Sequence, residues 1–497
     1  MADMKTLAKD TAIYGLSSII GRFLNYLLSV AYTYIFPASS GAIGVNTNIY
    51  AYTGLILVIL TYGMETTFFR FANKEGEDPK LVYSTVLRMI GTTSLLFIAF
   101  VLAFIGPVST GMGYPDHPSY IWVMAIVVAL DAFQAILFSY LRYQKRPVKF
   151  ATLKLLFIFM SIGLNLVFFV LLPHLYQGNP EVVGKIYNPG VGVGYVFYIN
   201  LFCTAFITLF FVKEIKGIGY GFDKELCKRM LSYSWPILVL GIAGILNQTA
   251  DKIIFPRIYS GEDAHVQLGI YGSGVKIAMI MALITQAFRY AYEPFVFGSS
   301  REKDSKETYA KGMKFFVIFT LLAFLFVMGY INVLRYLIHK DYWEGLKVVP
   351  IVMAAEMMMG IYFNLSFWYK LTDKTLWGAV FSGIGCAVLI GINVFLIPKY
   401  SYMACAWGGF AGYGVAMLLS YFVGQKYYPI DYPMKDMLLY TLLAAVLFVG
   451  ITFSNKYLGL WPALAVNTVL VVIFLAFIVK KDLPLAEIPV IGKYFKK

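Results

Sequence analysis

Apolar residues in this chain gather into runs of about 20, the length that carries a helix across a hydrocarbon core ~30 Å thick. Such runs recur from one end to the other and place spans at 11–36, 43–69, 84–107, 119–141, 150–173, 191–212, 234–256, 267–297, 313–332, 346–369, 376–397, 402–424, 437–454 and 460–479. The connectors are short and carry the helix breakers, as in Asn73–Lys80, Arg142–Pro147, His174–Glu181 and Phe297–Asp304. None could hold a soluble domain. The pattern predicts an all-α integral membrane protein of about 14 transmembrane helices. Residues 1–10 lead into the first run with no small-residue cleavage site, which predicts an uncleaved first span rather than a signal peptide.

Composition agrees. Of 497 residues, 59% are hydrophobic and 14% charged, against about 45–50% and about 25% in soluble domains. Mean hydropathy is +0.71, so more apolar side chains are present than one soluble core could bury. A net charge of +14 would suggest nucleic acid in a soluble chain; here its placement explains it. With 14 spans and both termini on one side, that side collects about 30 of the 41 basic residues, including Arg142, Lys145, Arg146, Lys149, Lys213, Lys216, Lys224, Lys228, Arg229, Arg301, Lys480, Lys481, Lys496 and Lys497. The other side holds about seven: Lys185, Arg257, Arg335, Lys340, Lys347, Lys399 and Lys456. The positive-inside bias puts both termini in the cytoplasm. Cys203, Cys227, Cys386 and Cys405 are scattered, without pairing or zinc spacing.

The first and seventh spans are related. Ile35-Phe36-Pro37 closes one and Ile254-Phe255-Pro256 the other, and an Ile-Tyr pair opens each following span, Ile49-Tyr50 and Ile270-Tyr271. The offsets are about 219 and 221 residues, a single register that sets Glu65 opposite Gln286. Six spans per half in one orientation give a parallel repeat about an axis along the membrane normal. The expected division is a six-helix lobe over 1–215, a second over 216–430, and two extra spans with a cytoplasmic tail over 431–497.

Four of the cations inside spans, Arg22, Lys252, Lys276 and Arg289, are the candidates, because an ionisable group there costs a few kcal/mol and faces protein or a wet cavity. Gly15, Ser18, Arg22, Asn25, Ser29 and Tyr32 make one helical stripe, opposite the oily Ile19, Ile20, Phe23, Leu27 and Val30. Gly15 and Ser18 alone would fit helix packing; Arg22 would not. The seventh span repeats the pattern with Gly241, Gly244, Gln248, Asp251 and Lys252, where Asp251 and Lys252 could equally form a local ion pair. In the eighth, Thr285, Arg289 and Tyr292 share a face with Glu293 beside it. Lys276 points away from Arg289, so either the helix bends near Gly272 and Gly274 or Lys276 serves another interface. The candidate substrate-binding set is Arg22, Asn25, Gln248, Lys252, Lys276 and Arg289. Glu65, Asp131, Asp251, Glu293 and Glu356 are candidate proton or sodium sites, or counter-ions to those cations. Glu65 is one turn from Thr61, Asp131 one turn from Gln134, and Glu356 in line with Gly360 and Asn364.

Buried cations in an oily protein suggest an anionic cargo such as a diphosphate, and a lipid carrier would keep its tail in the bilayer while only its head needs the cavity. No Walker-type phosphate loop is present. The glycine runs at 190/192/194 and 217/219/221 are linkers or helix ends, and His117, His174, His265 and His339 are placed in loops on the sparsely charged side without metal spacing. The expectation is therefore no catalysis, no metal and no cofactor. A membrane potential alone could help to drive a diphosphate outward.

Two stretches resemble the polysaccharide transport family of the multidrug/oligosaccharidyl-lipid/polysaccharide flippase superfamily: the first span with Gly21-Arg22 and its polar stripe, and Gln248-Thr249-Ala250-Asp251-Lys252 followed by Gly269-Ile270-Tyr271. The resemblance implies two six-helix lobes, a central cationic cavity, alternating access, and a polyprenyl-diphosphate-linked oligosaccharide moved across a bacterial inner membrane for surface-polysaccharide assembly. Arg22 matches the family's first-span arginine and Asp251-Lys252 its seventh-span charged pair; Lys276 and Arg289 have looser counterparts. Partners implied are the lipid-linked oligosaccharide, membrane lipid, a coupling H+ or Na+, and polysaccharide-assembly enzymes, with no nucleic acid. The extra spans at 437–479 occur in relatives, including lipid II flippases. A lipid II flippase and an ion-coupled drug antiporter are the alternatives, the first carrying more arginines in its opening spans than Arg22 and Arg70, the second favouring acidic cavities. A membrane-embedded sugar polymerase would need a larger outer loop than 174–190.

Overall fold

Aspartate and proline at the connectors set where helices begin. Asp78 accepts a hydrogen bond from the Lys80 backbone N–H at 3.0 Å with Pro79 at the first helical position, and Asp223 accepts from the N–H groups of Glu225 and Leu226 at 2.8 and 3.0 Å. Pro118 and Pro147 open two more helices in the same way. The computed structural model describes residues 20–299, 305–372 and 374–482, excepting the side chains of Tyr290, Ala291, Glu293–Phe295 and Phe297–Ser299. Gly15, Ser18, Ile19, Arg301, Lys496, Lys497 and the Glu293 side chain lie outside the described residues.

The long helices are α1 (20–35), α2 (Ala42–Thr61), α3 (Met64–Ala72), α4 (Pro79–Ala103), α5 (Pro118–Tyr143), α6 (Pro147–Leu166), α7 (Gly194–Leu209), α8 (Lys224–Ile258), α9 (Ala264–Ser299), α10 (Ser305–Gly329), α11 (Val349–Leu365), α12 (Leu376–Tyr400), α13 (Tyr402–Tyr427), α14 (Met434–Tyr457) and α15 (Leu460–Lys481). No strand occurs among the described residues. Among the described residues, twelve helical segments are long and apolar enough to cross a membrane, or thirteen if α7 and its continuation Val212–Tyr220, bent by 65°, form one span. The first run, of which α1 is the described part, stands in addition to these. The chain is a multi-pass membrane protein.

Helix ends differ from the apolar runs where polar turns extend them. The seventh span begins at Lys224, ten residues before the run at 234. Its first turns bury Leu226 and Met230 and expose Lys224, Lys228 and Arg229, an amphipathic stretch that hydropathy alone does not register. The second span is broken inside its apolar run, where Tyr62 (φ 29°) and Gly63 (φ 73°) separate α2 from α3. Thr61 and Glu65 therefore sit on different helices, and the one-turn relation expected for them does not hold. His174 lies in the short helix Leu172–Gly178 and His265 in the first turn of α9, rather than in loops.

The chain divides into two compact units, 1–269 and 270–497, at a point inside α9. In unit 1 the core gathers Met64, Phe68, Tyr83, Ile136, Leu137 and Phe211, with Tyr83 stacked on Tyr140 at 3.7 Å. Two contacts agree with the alternation of connectors between the basic and the sparsely charged side. Arg229 pairs with Glu77 on the basic side, and Arg257 donates to the Gly111 carbonyl on the other.

In unit 2, α12 and α13 cross where Gly385 and Gly412 face one another; a Cβ on either would lie 2.7 Å from the other's carbonyl oxygen, the close approach that small residues permit between membrane helices. The C-terminal pair α14–α15 is tied to α10 at both ends. At one end Lys314 Nζ donates to Asp436 (2.7 Å) and Asp482 (2.5 Å), while Tyr440 donates to Asp482 (2.6 Å) and Lys481 to Asp436 (2.8 Å). At the other, Asn467 donates to the Gly329 carbonyl (2.8 Å) and Asn455 to the Met328 carbonyl (3.2 Å). Lys314→Met leaves two carboxylates facing each other without their shared cation. We expect it to lower stability by roughly 1–3 kcal/mol, a buried-pair penalty discounted for the partial exposure of Asp436. Thermal unfolding in detergent measures this, and an unchanged midpoint would mean that the clasp carries no load.

Candidate functional site

Unit 1 holds the candidate groups of the first and seventh spans. α1 has two separate exposed arcs. Phe23 and Leu27, 51% and 41% exposed, form an apolar arc suited to lipid. About 100° away around the helix, Arg22 and Asn25 form a second, polar one. Gly21, Tyr26 and Val30 are buried, and a Cβ on Gly21 would meet Ile158 of α6 at 2.7 Å. Toward the end of the helix the polar arc closes: Ser29 is half-buried, and Tyr32 is buried with its hydroxyl donating to Asn165 at 2.8 Å. Among the described residues of the stripe read from the sequence, only Arg22 and Asn25 are exposed. Arg22 makes no ion pair, hydrogen bond or ring contact among the described residues, so its guanidinium keeps its five donors for something else.

On α8, Gln248 is exposed, Lys252 half-buried and Asp251 buried. Lys252 Nζ donates to the Gln248 carbonyl at 2.7 Å and to Asp251 Oδ1 at 3.1 Å, so the adjacent pair does interact. Asn48 of α2 donates to the Lys252 carbonyl at 2.7 Å, and Tyr114 donates to Asn48 Oδ1 at 2.8 Å. This chain of bonds fixes the backbone beneath Lys252 against α2. Gly244, one turn before Gln248, has nothing within 4 Å of where a Cβ would stand, which leaves the space beside Gln248 open.

The cations lie at different depths. Arg22 is 13 residues from the end of α1, about 20 Å at 1.5 Å per residue, whereas Lys252 is six residues, about 9 Å, from the same side on α8. They form a ladder more than a ring. Apart from Asp251, the acidic candidates of unit 1 sit elsewhere in it. Glu65 pairs with Arg142 at 3.2 Å and accepts from Ser139 at 3.3 Å. Asp131 interacts with the Thr204 hydroxyl and with Lys154. Gln134 turns instead to the Thr204 carbonyl and the Thr208 hydroxyl, both at 2.8 Å.

Lys154 and Arg88 are spanning-helix cations that the run analysis did not single out. Lys154 is seven residues into α6 and lies over the Phe138 ring at 4.1 Å. Pro147, at the first helical position, is the signal that could have placed it inside the helix. Arg88 is nine residues into α4 and donates through Nε (3.0 Å) and Nη2 (2.8 Å) to the Ile218 carbonyl.

In unit 2, Lys276 is buried and Arg289 half-buried. α9 is one continuous helix through Gly272 and Gly274, and Gly274 backs against the Gly345 carbonyl. The Arg289 guanidinium lies 4.8 Å over the Phe363 ring, in a small enclosed pocket with Thr285, Tyr292, Asn364 and Lys370. Glu356 is half-buried on α11, and Asn364 is turned back to the Gly360 carbonyl at 3.1 Å. No group of three His, Cys, Asp or Glu placed to hold a metal ion occurs among the described residues.

Residues 7–290 match the family described as polysaccharide biosynthesis protein. Among solved structures, the chain is similar to the lipid II flippase MurJ in an inward closed conformation, with a TM-score of 0.69 at 13% identity over 94% of this chain and 98% of that one. It is also similar to an inward-facing multidrug resistance MATE family transporter of the MOP superfamily (TM-score 0.59, 15% identity, 84% of this chain and 97% of that one). A Vibrio cholerae MATE transporter gives a TM-score of 0.56 at 13% identity, over 85% and 96%. Among curated proteins none matches the sequence.

Proposed function

Because the chain belongs to the polysaccharide biosynthesis protein family and has the fold of MurJ and MATE transporters, we propose that it is a flippase for polyprenyl-diphosphate-linked oligosaccharide. It moves this lipid from the cytoplasmic to the outer leaflet of a bacterial inner membrane by alternating access between two six-helix lobes, 1–215 and 216–430. The observation that carries the reading is Arg22, an unengaged cation on a polar arc of α1 separate from the arc that meets lipid. A guanidinium in that position recognises a phosphate bidentately. Asn25 and Gln248 offer amides to sugar hydroxyls, and Lys252 offers a second cation higher in the membrane. The carrier's isoprenoid tail stays in the bilayer throughout. Lys276 and Arg289 belong to the same substrate path in the second lobe, and Glu65, Asp131, Asp251, Glu293 and Glu356 are the counter-ions or coupling groups. The chain performs no bond-making chemistry in this account.

The similarity to a lipid II flippase over 94% of the chain favours one second reading, in which the cargo is a peptidoglycan precursor on the same diphosphate carrier. Proteoliposomes loaded with polyprenyl-diphosphate oligosaccharide separate the two. Under our proposal the oligosaccharide lipid becomes accessible to added glycosidase and excess lipid II competes weakly. Strong competition with no oligosaccharide transfer would assign the peptidoglycan precursor. An imposed potential, negative on the side the lipid leaves, should accelerate transfer, since each charge moved is worth about 2.3 kcal/mol per 100 mV. Transfer indifferent to potential would remove that driving force from the mechanism.

A further inference from the structure

Unit 1 carries a second concavity that the transport reading does not use. The break at Tyr62–Gly63 lets α8 come close to the second span: a Cβ on Gly63 would lie 2.9 Å from the Ile237 side chain and 3.3 Å from the Ser234 carbonyl. Beside that contact, the end of α2, the middle of α4 and the first half of α8 leave an open groove of about 890 Å³, at the upper end of ligand-pocket sizes. Its walls are oily and exposed, with Ile59 at 45%, Leu231 at 44% and Trp235 at 65%. Of the hydroxyls there, Thr93 is spent on the Met89 carbonyl at 3.0 Å and Ser234 on the Leu231 carbonyl at 3.2 Å, and Thr92, Ser232 and Tyr62 are the other hydroxyl-bearing side chains of the lining.

At the basic-side mouth the chemistry changes. Lys224 and Lys228 lie on the same α8 stripe as Leu231, Trp235 and Leu238, by 3.6-residue periodicity. Both are exposed and neither joins an ion pair among the described residues. Arg88 lines the groove; two of its donors hold the Ile218 carbonyl, which anchors the guanidinium and leaves three. Of the nearby acids, Asp223 caps α8 and Glu77 is paired with Arg229, while Glu75 and Glu225 are exposed. The mouth is therefore cationic, and the groove inside is mostly apolar, with a few hydroxyls and no charge beyond Arg88.

From this charge complementarity we propose that the groove holds one anionic glycerophospholipid, its phosphate on Lys224, Lys228 and Arg88 and its acyl chains along Leu231 and Trp235. A lipid held there is retained, not transported, because no charged group inside beyond Arg88 would draw its head further. It steadies the first half of α8, the helix whose second half presents Gln248 and Lys252. This inference does not depend on the identity of the cargo.

The test is native mass spectrometry of the purified full chain with phosphatidylglycerol or phosphatidylcholine. The wild type should retain phosphatidylglycerol preferentially, and Lys224→Ala/Lys228→Ala should lower that retention roughly tenfold or more, at about 1 kcal/mol for each basic residue at an anionic head. Trp235→Ala should shorten retention without changing the preference. Lys426→Ala/Lys435→Ala, which removes exposed basic-side lysines from unit 2, should change nothing. Equal retention of the two lipids by wild type, equal loss in both lysine pairs, or displacement of phosphatidylglycerol by polyprenyl phosphate at equal concentration would overturn the proposal. The last result would make the carrier lipid the occupant.

Discussion

Arg22→Ala should lower translocation in proteoliposomes at least tenfold while expression and thermal stability stay at the wild-type level. The separation of the two effects follows from the geometry of α1. Its packing rests on Gly21, Tyr26, Val30 and Tyr32, which are buried, and Arg22 contributes nothing to that interface. A charge-assisted hydrogen bond is worth about 1.5–3 kcal/mol, or about a 10- to 150-fold change in rate where the bond forms during transfer. Arg22→Lys keeps the charge, loses the bidentate fork and should fall between. Loss of stability in Arg22→Ala would place the arginine in a structural role, and undiminished transport would remove it from the substrate path.

Gly44→Val has the largest expected effect on the fold. At the start of α2 the backbone of Gly44 lies directly against the backbone of the first turn of α9: a Cβ there would collide with the His265 carbonyl, and one on Gly269 would stand 3.1 Å from the Gly44 nitrogen. The obstacle on both sides is main chain, which cannot rotate away. Insertion of bulk into such a contact costs about 3 kcal/mol or more, so the variant should unfold several degrees lower and elute as aggregate after mild heating. Ser39→Val, on an exposed residue of the same connector, is the control and should behave as wild type. A Gly44→Val protein of normal thermal stability would contradict this packing of α2 against α9.

How much of this was readable in the chain depends on the physics each feature rests on. Spans follow from runs of apolar side chains, so twelve or thirteen of them appear where the runs lie. Their ends do not follow, because the first turns of α8 mix lysines with buried Leu226 and Met230, and a window average cancels the two. The same averaging does not separate Lys154 from the basic connector before it, although Pro147 sets it seven residues into the helix. Tyr62–Gly63 looks harmless inside an apolar run, yet it breaks the second span. Periodicity found the polar stripe of α1 but not its limit, since Tyr32 is withdrawn by Asn165, 133 residues away. The clasp around Lys314 joins residues 122 and 168 positions apart, and nothing local announces it. The proposed two-lobe repeat concerns descent and is a different quantity from the compact units, which divide at Gly269.

One measurement bears most directly on whether these cations line an aqueous path for an anionic lipid head. Cysteines introduced singly by Arg22→Cys and Lys252→Cys, with Cys227 replaced by alanine and the buried Cys203, Cys386 and Cys405 retained, can be challenged with a membrane-impermeant charged thiol reagent. The account predicts that both positions react and that saturating lipid-linked oligosaccharide slows both reactions. Two thiols that react only with lipid-soluble reagents, at rates indifferent to substrate, would show side chains facing acyl chains and would end the account.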